Sequence, residues 1–117
     1  MEKFMLKNEK HPLVSVVMAV YNNIEEQVLR QAIESIMQQD YENIELLICD
    51  DGSTNNTLQQ INKITSSYDN VQVFHYEQNR GAAYARNLCI KHARGQYIAV
   101  MDADDISEKS RIMKQVI

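Results

Sequence analysis

No stretch of this chain approaches the roughly 20 consecutive apolar residues that a membrane-spanning helix requires. Its first eleven residues, Met1 to His11, are polar and of mixed charge, so they do not read as a secretory signal. Basic residues are in the minority, 12 Lys and Arg against 16 Asp and Glu for a formal charge of −4. With no basic cluster to release counterions from a phosphate backbone, a nucleic-acid partner is not expected. Cysteine is scarce as well: Cys49 and Cys89 lack metal-ligand spacing and read as small buried hydrophobes of a reducing compartment. The histidines, His11, His75 and His92, form no pair at ligand spacing. No P-loop, G-x-G-x-x-G or Ser-His-Asp pattern is present, which disfavours P-loop phosphoryl transfer and dinucleotide-dependent oxidoreduction. A cytoplasmic protein is expected, and peripheral attachment at the inner face of a membrane is compatible with that reading.

Proline occurs once, as Pro12, and it marks the expected boundary between a leader over 1–12 and a domain over 13–117. At 117 residues, 44% of them hydrophobic, the chain suits one core that buries about two-thirds of the unfolded surface. Leu13 to Val20 is a short apolar run rich in β-branched residues, as in a strand covered on both faces. From Ile24, apolar residues recur at Val28, Leu29, Ala32, Ile33, Ile36 and Met37, a helical stripe for which Asn23 and Glu26 suggest a capping-box variant. Asn43 to Cys49 predicts a second strand, Leu58, Ile61 and Ile64 a second helix that Ser53 or Thr54 would cap, and Val71 to Tyr76 a third strand. An alanine-rich helix from Ala82 to Arg94 ends at Gly95, and Gln96 to Val100 reads as a fourth, buried strand. A last helix is expected from about Glu108 to Ile117. This alternation predicts an open, mainly parallel three-layer α/β/α sheet with right-handed crossovers. It reads as incomplete, a truncated piece whose uncovered sheet edge allows pairing with another copy.

In a parallel sheet, the C-terminal ends of strands one, two and four share one rim, where α/β proteins bind ligands. That rim would carry Ala19-Val-Tyr-Asn22, Asp50-Asp-Gly-Ser53 and Asp102-Ala-Asp-Asp105. In extended geometry Asp102 and Asp104 would share a face, about 6.5 Å apart at Cα, and converge on a hard divalent cation; the alternative is a solvated acidic turn capping the next helix. Asp50 and Asp51 read either as turn and cap chemistry or as acceptors for a base N–H on which Tyr21 stacks. Asn79-Arg-Gly81, at the start of the third helix, brings a cation and a helix N-terminus toward a phosphate.

Four segments, Val14 to Asn22, Cys49 to Thr54, Asn79 to Asn87 and Gly95 to Asp105, resemble in order and spacing the family 2 glycosyltransferases of GT-A fold, a Rossmann-like architecture. The resemblance implies the nucleotide-binding part of an enzyme that takes a sugar from a nucleotide-diphosphate sugar, usually a UDP-sugar, with Mn²⁺ or Mg²⁺, and passes it to a hydroxyl of a carbohydrate or lipid-linked acceptor. It implies that Tyr21 stacks on uracil, Asp51 accepts from the base N3–H with Asp50 beside it, and Ala19 contributes backbone contact. Asn79, Arg80 and Gly81 would lie near the nucleotide. Asp102 would approach the ribose or the metal, and Asp104 would coordinate the metal with support from Asp105. The family's catalytic base lies beyond the Asp-x-Asp, so this piece is expected to lack it and to be inactive alone. A role in cell-surface polysaccharide synthesis is a further expectation. The rival reading is a non-catalytic nucleotide-binding or receiver-like α/β module, but receivers carry their acidic pair after the first strand. Asp-x-Asp phosphatases likewise carry theirs after the first strand, and here the pairs follow strands two and four.

Overall fold

The computed structural model describes residues 11–116, so most of the expected leader and Ile117 lie outside the described residues. Eight elements alternate along the chain: β1 (Val14–Val20), α1 (Glu26–Met37), β2 (Ile44–Asp51), α2 (Thr57–Thr65), β3 (Val71–Tyr76), α3 (Ala82–His92), β4 (Tyr97–Val100) and α4 (Arg111–Val116). The strands form one parallel sheet in the order β3-β2-β1-β4. Every residue of β2 is buried, as its inner position and apolar run demand.

Strand alternation divides the core into two. Val14, Val16, Met18, Leu46 and Ile48 point to the face covered by α1, α2 and α4, where Leu29, Ile33, Ile36, Ile61 and Ile112 meet them. Val17, Leu47 and Cys49 point to the other face, against Ala85 and Cys89 of α3. Three layers result, as the alternating pattern predicts. Both cysteines are free and fully buried, and desolvation raises the thiols to about 11 at Cys49 and about 12 at Cys89, which keeps them protonated.

Several expected boundaries move. β4 is an edge strand rather than a buried one: Tyr97, Ile98 and Val100 are exposed because only β1 pairs with it. α1 begins at Glu26, two residues late, and Ile24 is 88% exposed, because Asn23 makes no helix cap. Its amide instead donates to Gln60 Oε1 at 2.6 Å and to the Glu25 carbonyl at 3.0 Å. α2 starts at Thr57, whose N–H donates to Asn55 Oδ1, so neither Ser53 nor Thr54 caps it. α4 starts only at Arg111.

α3 ends at His92, before Arg94, for a reason at the opposite end of the sheet from the rim. Glu45, in register with Ser15, is 3% exposed. Its carboxylate accepts from Ser15 Oγ at 2.6 Å, from the Arg94 N–H at 2.8 Å, and from the Arg94 guanidinium at 3.0 and 3.1 Å. The Gly95 N–H donates in turn to Ser15 Oγ at 2.8 Å. This clasp draws the α3–β4 connection under β1 and β2. Burial raises the Glu45 carboxyl, but the bonds from the Arg94 N–H, Ser15 and the guanidinium together hold it below the usual carboxylate value. A group depressed in the folded state stabilises above its unfolded pKa, and that contribution is lost as pH falls through the folded value. Glu45→Gln is therefore expected to cost about 1–3 kcal/mol at neutral pH, chiefly through donors left without a charged acceptor, since Arg94 itself is largely exposed. Urea denaturation across pH checks this: the gap from wild type should hold above about pH 5 and narrow below about pH 4.

Candidate functional site

Because every strand runs the same way, the ends of β1, β2 and β4 open onto one rim, with Val20 beside Asp50, Asp51 beside Tyr76 and Val17 beside Val100. The chain leaves β1 through Tyr21, half exposed, and Asn22, which takes a positive φ of 48°. That conformation suits asparagine and lets both ends of the residue bond across the rim. The Asn22 N–H donates to Ser53 Oγ at 2.8 Å, and the Thr54 N–H donates to Asn22 Oδ1 at 2.8 Å. Next to it, the Asn23 N–H donates to Thr57 Oγ1 at 2.8 Å. These bonds fix the loop that carries Tyr21 to the loop that follows β2.

The two acidic residues ending β2 point to opposite faces and differ in use. Asp50 faces α1 and α2, where Oδ1 accepts from the Ser53 N–H at 3.2 Å, the turn chemistry that the sequence allows. Asp51 faces α3 and is 2% exposed. Its Oδ1 accepts from Tyr76 Oη at 2.5 Å and the Arg80 N–H at 2.9 Å, and its Oδ2 from Asn79 Nδ2 at 2.8 Å and the Gly81 N–H at 3.0 Å. Four donors thus occupy a carboxylate's four usual acceptor positions. Desolvation, followed by the bond to Asp51, raises the Tyr76 phenol, so it stays a donor. The structure therefore brings Asn79, Arg80 and Gly81 to the rim through Asp51.

Arg80 is exposed, and its guanidinium carbon lies 5.2 Å from the Tyr84 ring centre and 6.0 Å from that of Tyr76. The two rings meet edge to face at 5.5 Å. Sequence reading missed both tyrosines as parts of the rim. Tyr76 could have been found from strand order, since it is the register partner of Asp51; Tyr84 lies in the first turn of α3 and comes beside Arg80 only through the non-helical turn over 79–81, which no spacing rule announces.

The third acidic segment departs from the extended geometry predicted for it. Pairing ends at Val100, and Asp102 to Asp105 form a turn in which the Asp105 N–H donates to the Asp102 carbonyl at 3.2 Å. Alternation therefore does not bring Asp102 and Asp104 together; the turn does, and it adds Asp105. Each of the three exposed residues offers an oxygen within 4.8 Å of the others. Around an octahedral Mg²⁺, opposite oxygens stand roughly 4.2 Å apart and adjacent ones roughly 3.0 Å, so this all-oxygen set would have to draw in by about an ångström or more to close on a small hard cation. Asp104 also borders a cleft of about 360 Å³ shared with Tyr21, Asn22, Ile24 and Val28.

Residues 15–116 match the family described as Glycosyl transferase family 2. Among curated relatives, the E. coli enzyme UDP-Glc:alpha-D-GlcNAc-diphosphoundecaprenol beta-1,3-glucosyltransferase WfaP is 41% identical over 106 residues, covering 89% of this chain and 40% of its own length. Among solved structures, TarS 1-349 of S. aureus in complex with UDP-GlcNAc superposes with a TM-score of 0.78 at 29% identity, over 88% of this chain and 30% of that one. The mannosyltransferase PcManGT of Pyrobaculum calidifontis, in complex with GDP-Man and Mn²⁺, superposes with a TM-score of 0.72 at 26% identity, over 81% of this chain and 28% of that one. The chain thus spans about two-fifths or less of these proteins. These likenesses share the parallel GT-A sheet and leave the receiver-like alternative without support. With the match running from the first strand to the last helix, the chain belongs to glycosyl transferase family 2.

Proposed function

We propose that this domain is the donor-binding part of a glycosyltransferase that holds a UDP-sugar and a divalent cation and delivers the sugar to an acceptor hydroxyl. The observation that carries the reading is the shared rim, where one sheet end gathers Tyr21, the Arg80 turn and the Asp102, Asp104 and Asp105 oxygens. Tyr21 offers a half-exposed ring to the base, and Ala19 and Asp50 stand at the neighbouring strand ends. Asn79 and Gly81 set the turn from which Arg80 brings positive charge to a dianionic ligand that an acidic chain would otherwise repel. Asp102 and Asp104, with Asp105, are the residues to hold Mn²⁺ or Mg²⁺. A cation held there supplies positive charge against the diphosphate oxygens as the sugar bond breaks. Uridine is favoured over guanosine by the relative whose name specifies UDP-Glc and by the likeness to a UDP-GlcNAc complex. The same relative's GlcNAc-diphosphoundecaprenol acceptor supports a lipid-linked acceptor.

Acceptor activation requires a base. Glu108 is the one carboxylate after Asp105, and it is ion-paired to Lys114 at 2.6 Å on the exposed surface. We assign the base to a part of the parent protein outside these residues and expect the 117-residue chain to bind donor without turning it over. Calorimetric titration with UDP, with and without Mn²⁺ and beside ADP, tests this. Binding that needs the metal and prefers uridine is the expected result; equal binding of ADP, or metal-independent binding, would sink the assignment.

A further inference from the structure

Arg30, Lys63, Arg94 and Lys114 each rest against a carboxylate. Arg80 is held differently. Among the described residues it forms no ion pair, and its guanidinium carbon sits over two rings instead, 5.2 Å from the centre of Tyr84 and 6.0 Å from that of Tyr76. Both distances fall within the roughly 6 Å at which a ring face attracts a cation. The two kinds of contact leave different chemistry free. A carboxylate takes the in-plane N–H donors of a guanidinium and offsets its charge, whereas a ring takes only the flat face, so the donors and the charge stay open to an incoming anion.

Tyr84 serves neither core. It lies in the first turn of α3, is 47% exposed, and packs against neither cluster of buried residues. Its ring is nonetheless braced: it meets the Tyr76 ring edge to face at 5.5 Å, and Tyr76 is anchored by packing on the α3 side of the sheet and by its hydroxyl, which donates to Asp51. The Arg80 backbone is fixed too, its N–H bonded to Asp51 Oδ1 at 2.9 Å. Arg80 is thus pinned at backbone and guanidinium, and a long side chain held at both ends has less rotamer freedom left to lose on meeting a ligand.

We propose that Tyr84 is a positioning residue: its ring, braced on Tyr76, holds the Arg80 guanidinium by its face and keeps the N–H donors free for the anionic part of the donor. What Arg80 is presented to rests on the donor-site reading above, whereas the holding of the guanidinium is a property of the free chain.

Two measurements on the full chain test it, with Tyr84→Leu, which keeps apolar bulk but has no ring face, and Tyr84→Phe, which keeps the ring. Neither substitution reaches a core, so both variants are expected to fold with an unchanged melting temperature. In the first, nitrogen relaxation in the free protein gives the order parameter of the Arg80 Nε–H bond. It is expected to fall below about 0.6 in Tyr84→Leu and to keep its wild-type value in Tyr84→Phe. An unchanged order parameter in Tyr84→Leu would overturn the proposal, as would a wild-type bond that already moves that freely. In the second, UDP affinity with Mn²⁺ is compared for wild type, both variants, Arg80→Ala and the double variant with Tyr84→Leu. A ring that acts through Arg80 gives about a two- to fivefold loss in Tyr84→Leu, none in Tyr84→Phe and no further loss once Arg80 is gone. Equal losses in both backgrounds would mean that Tyr84 touches the donor itself and would overturn the positioning role. If wild type binds no UDP while the order parameter falls in Tyr84→Leu alone, the donor-site reading fails and the holding of Arg80 stands.

Discussion

Gly52→Ala is expected to lower stability by about 3 kcal/mol or more and the melting temperature by more than about 10 °C, one of the largest effects of any single methyl group in this chain. Two separate costs add at this position. Gly52 occupies a φ of +66°, which an alanine adopts only with strain. The added carbon would also meet backbone atoms of Gln78 and Asn79 at 2.3 Å, and backbone cannot swing aside as a side-chain tip does. The turn after β2 and the turn after β3 must then separate, and the four bonds to Asp51 stretch with them. Gly81→Ala carries the first cost without the second. It has a φ of +96°, but nothing lies within 4 Å of its new carbon, so only the conformational strain of about 1–3 kcal/mol remains. Thermal melts of the two variants decide the matter. Similar losses would mean that the contact between the two turns contributes little.

The sequence announces the strands because burial on both faces leaves little room for polar residues: Val14 to Val20 and Ile44 to Cys49 carry only Ser15 and Glu45, which bond each other. Parallel order follows from helices between strands, and with it the rim. What could not be read depends on residues far apart in the chain. Asn23 looks like a local cap, yet partners 34 and 37 residues away win its backbone and side chain, and α1 starts late. β4 has the composition of a buried strand, but its exposure depends on which strands flank it. Asp50 and Asp51 look alike in sequence. One residue of offset in a pleated strand sends them to opposite faces, and only the β2–β3 pairing shows that Asp51 meets Tyr76 and the turn over 79–81. The acidic trio was legible as a cluster, with a solvated turn as one of its two readings; that the turn sets an oxygen of Asp105 within 4.8 Å of oxygens of Asp102 and Asp104 comes from the structure.

Asp104→Ala is expected to remove the metal-dependent part of UDP binding, a loss of about thirtyfold or more at millimolar Mn²⁺, with no change in melting temperature. The reasoning runs from what the side chain touches. Asp104 is exposed, carries no part of either core and borders the cleft beside Tyr21, so deleting its carboxylate costs the fold little. The two carboxylates that remain supply one oxygen fewer to a cation that prefers six, and water then takes the place. Loss of one anionic ligand weakens the ion, and the ion is what offsets repulsion between a diphosphate and an acidic rim. Higher Mn²⁺ concentration should therefore restore part of the affinity. Asp102→Ala and Asp105→Ala give smaller losses if those residues are auxiliary ligands and equal losses if the three share the ion evenly. Asp69→Ala, an exposed acid between α2 and β3, controls for net charge, since it shifts the long-range field by the same single charge without touching the trio. Affinity lost equally in Asp69→Ala and Asp104→Ala would mean that the trio acts only through its charge and holds no metal.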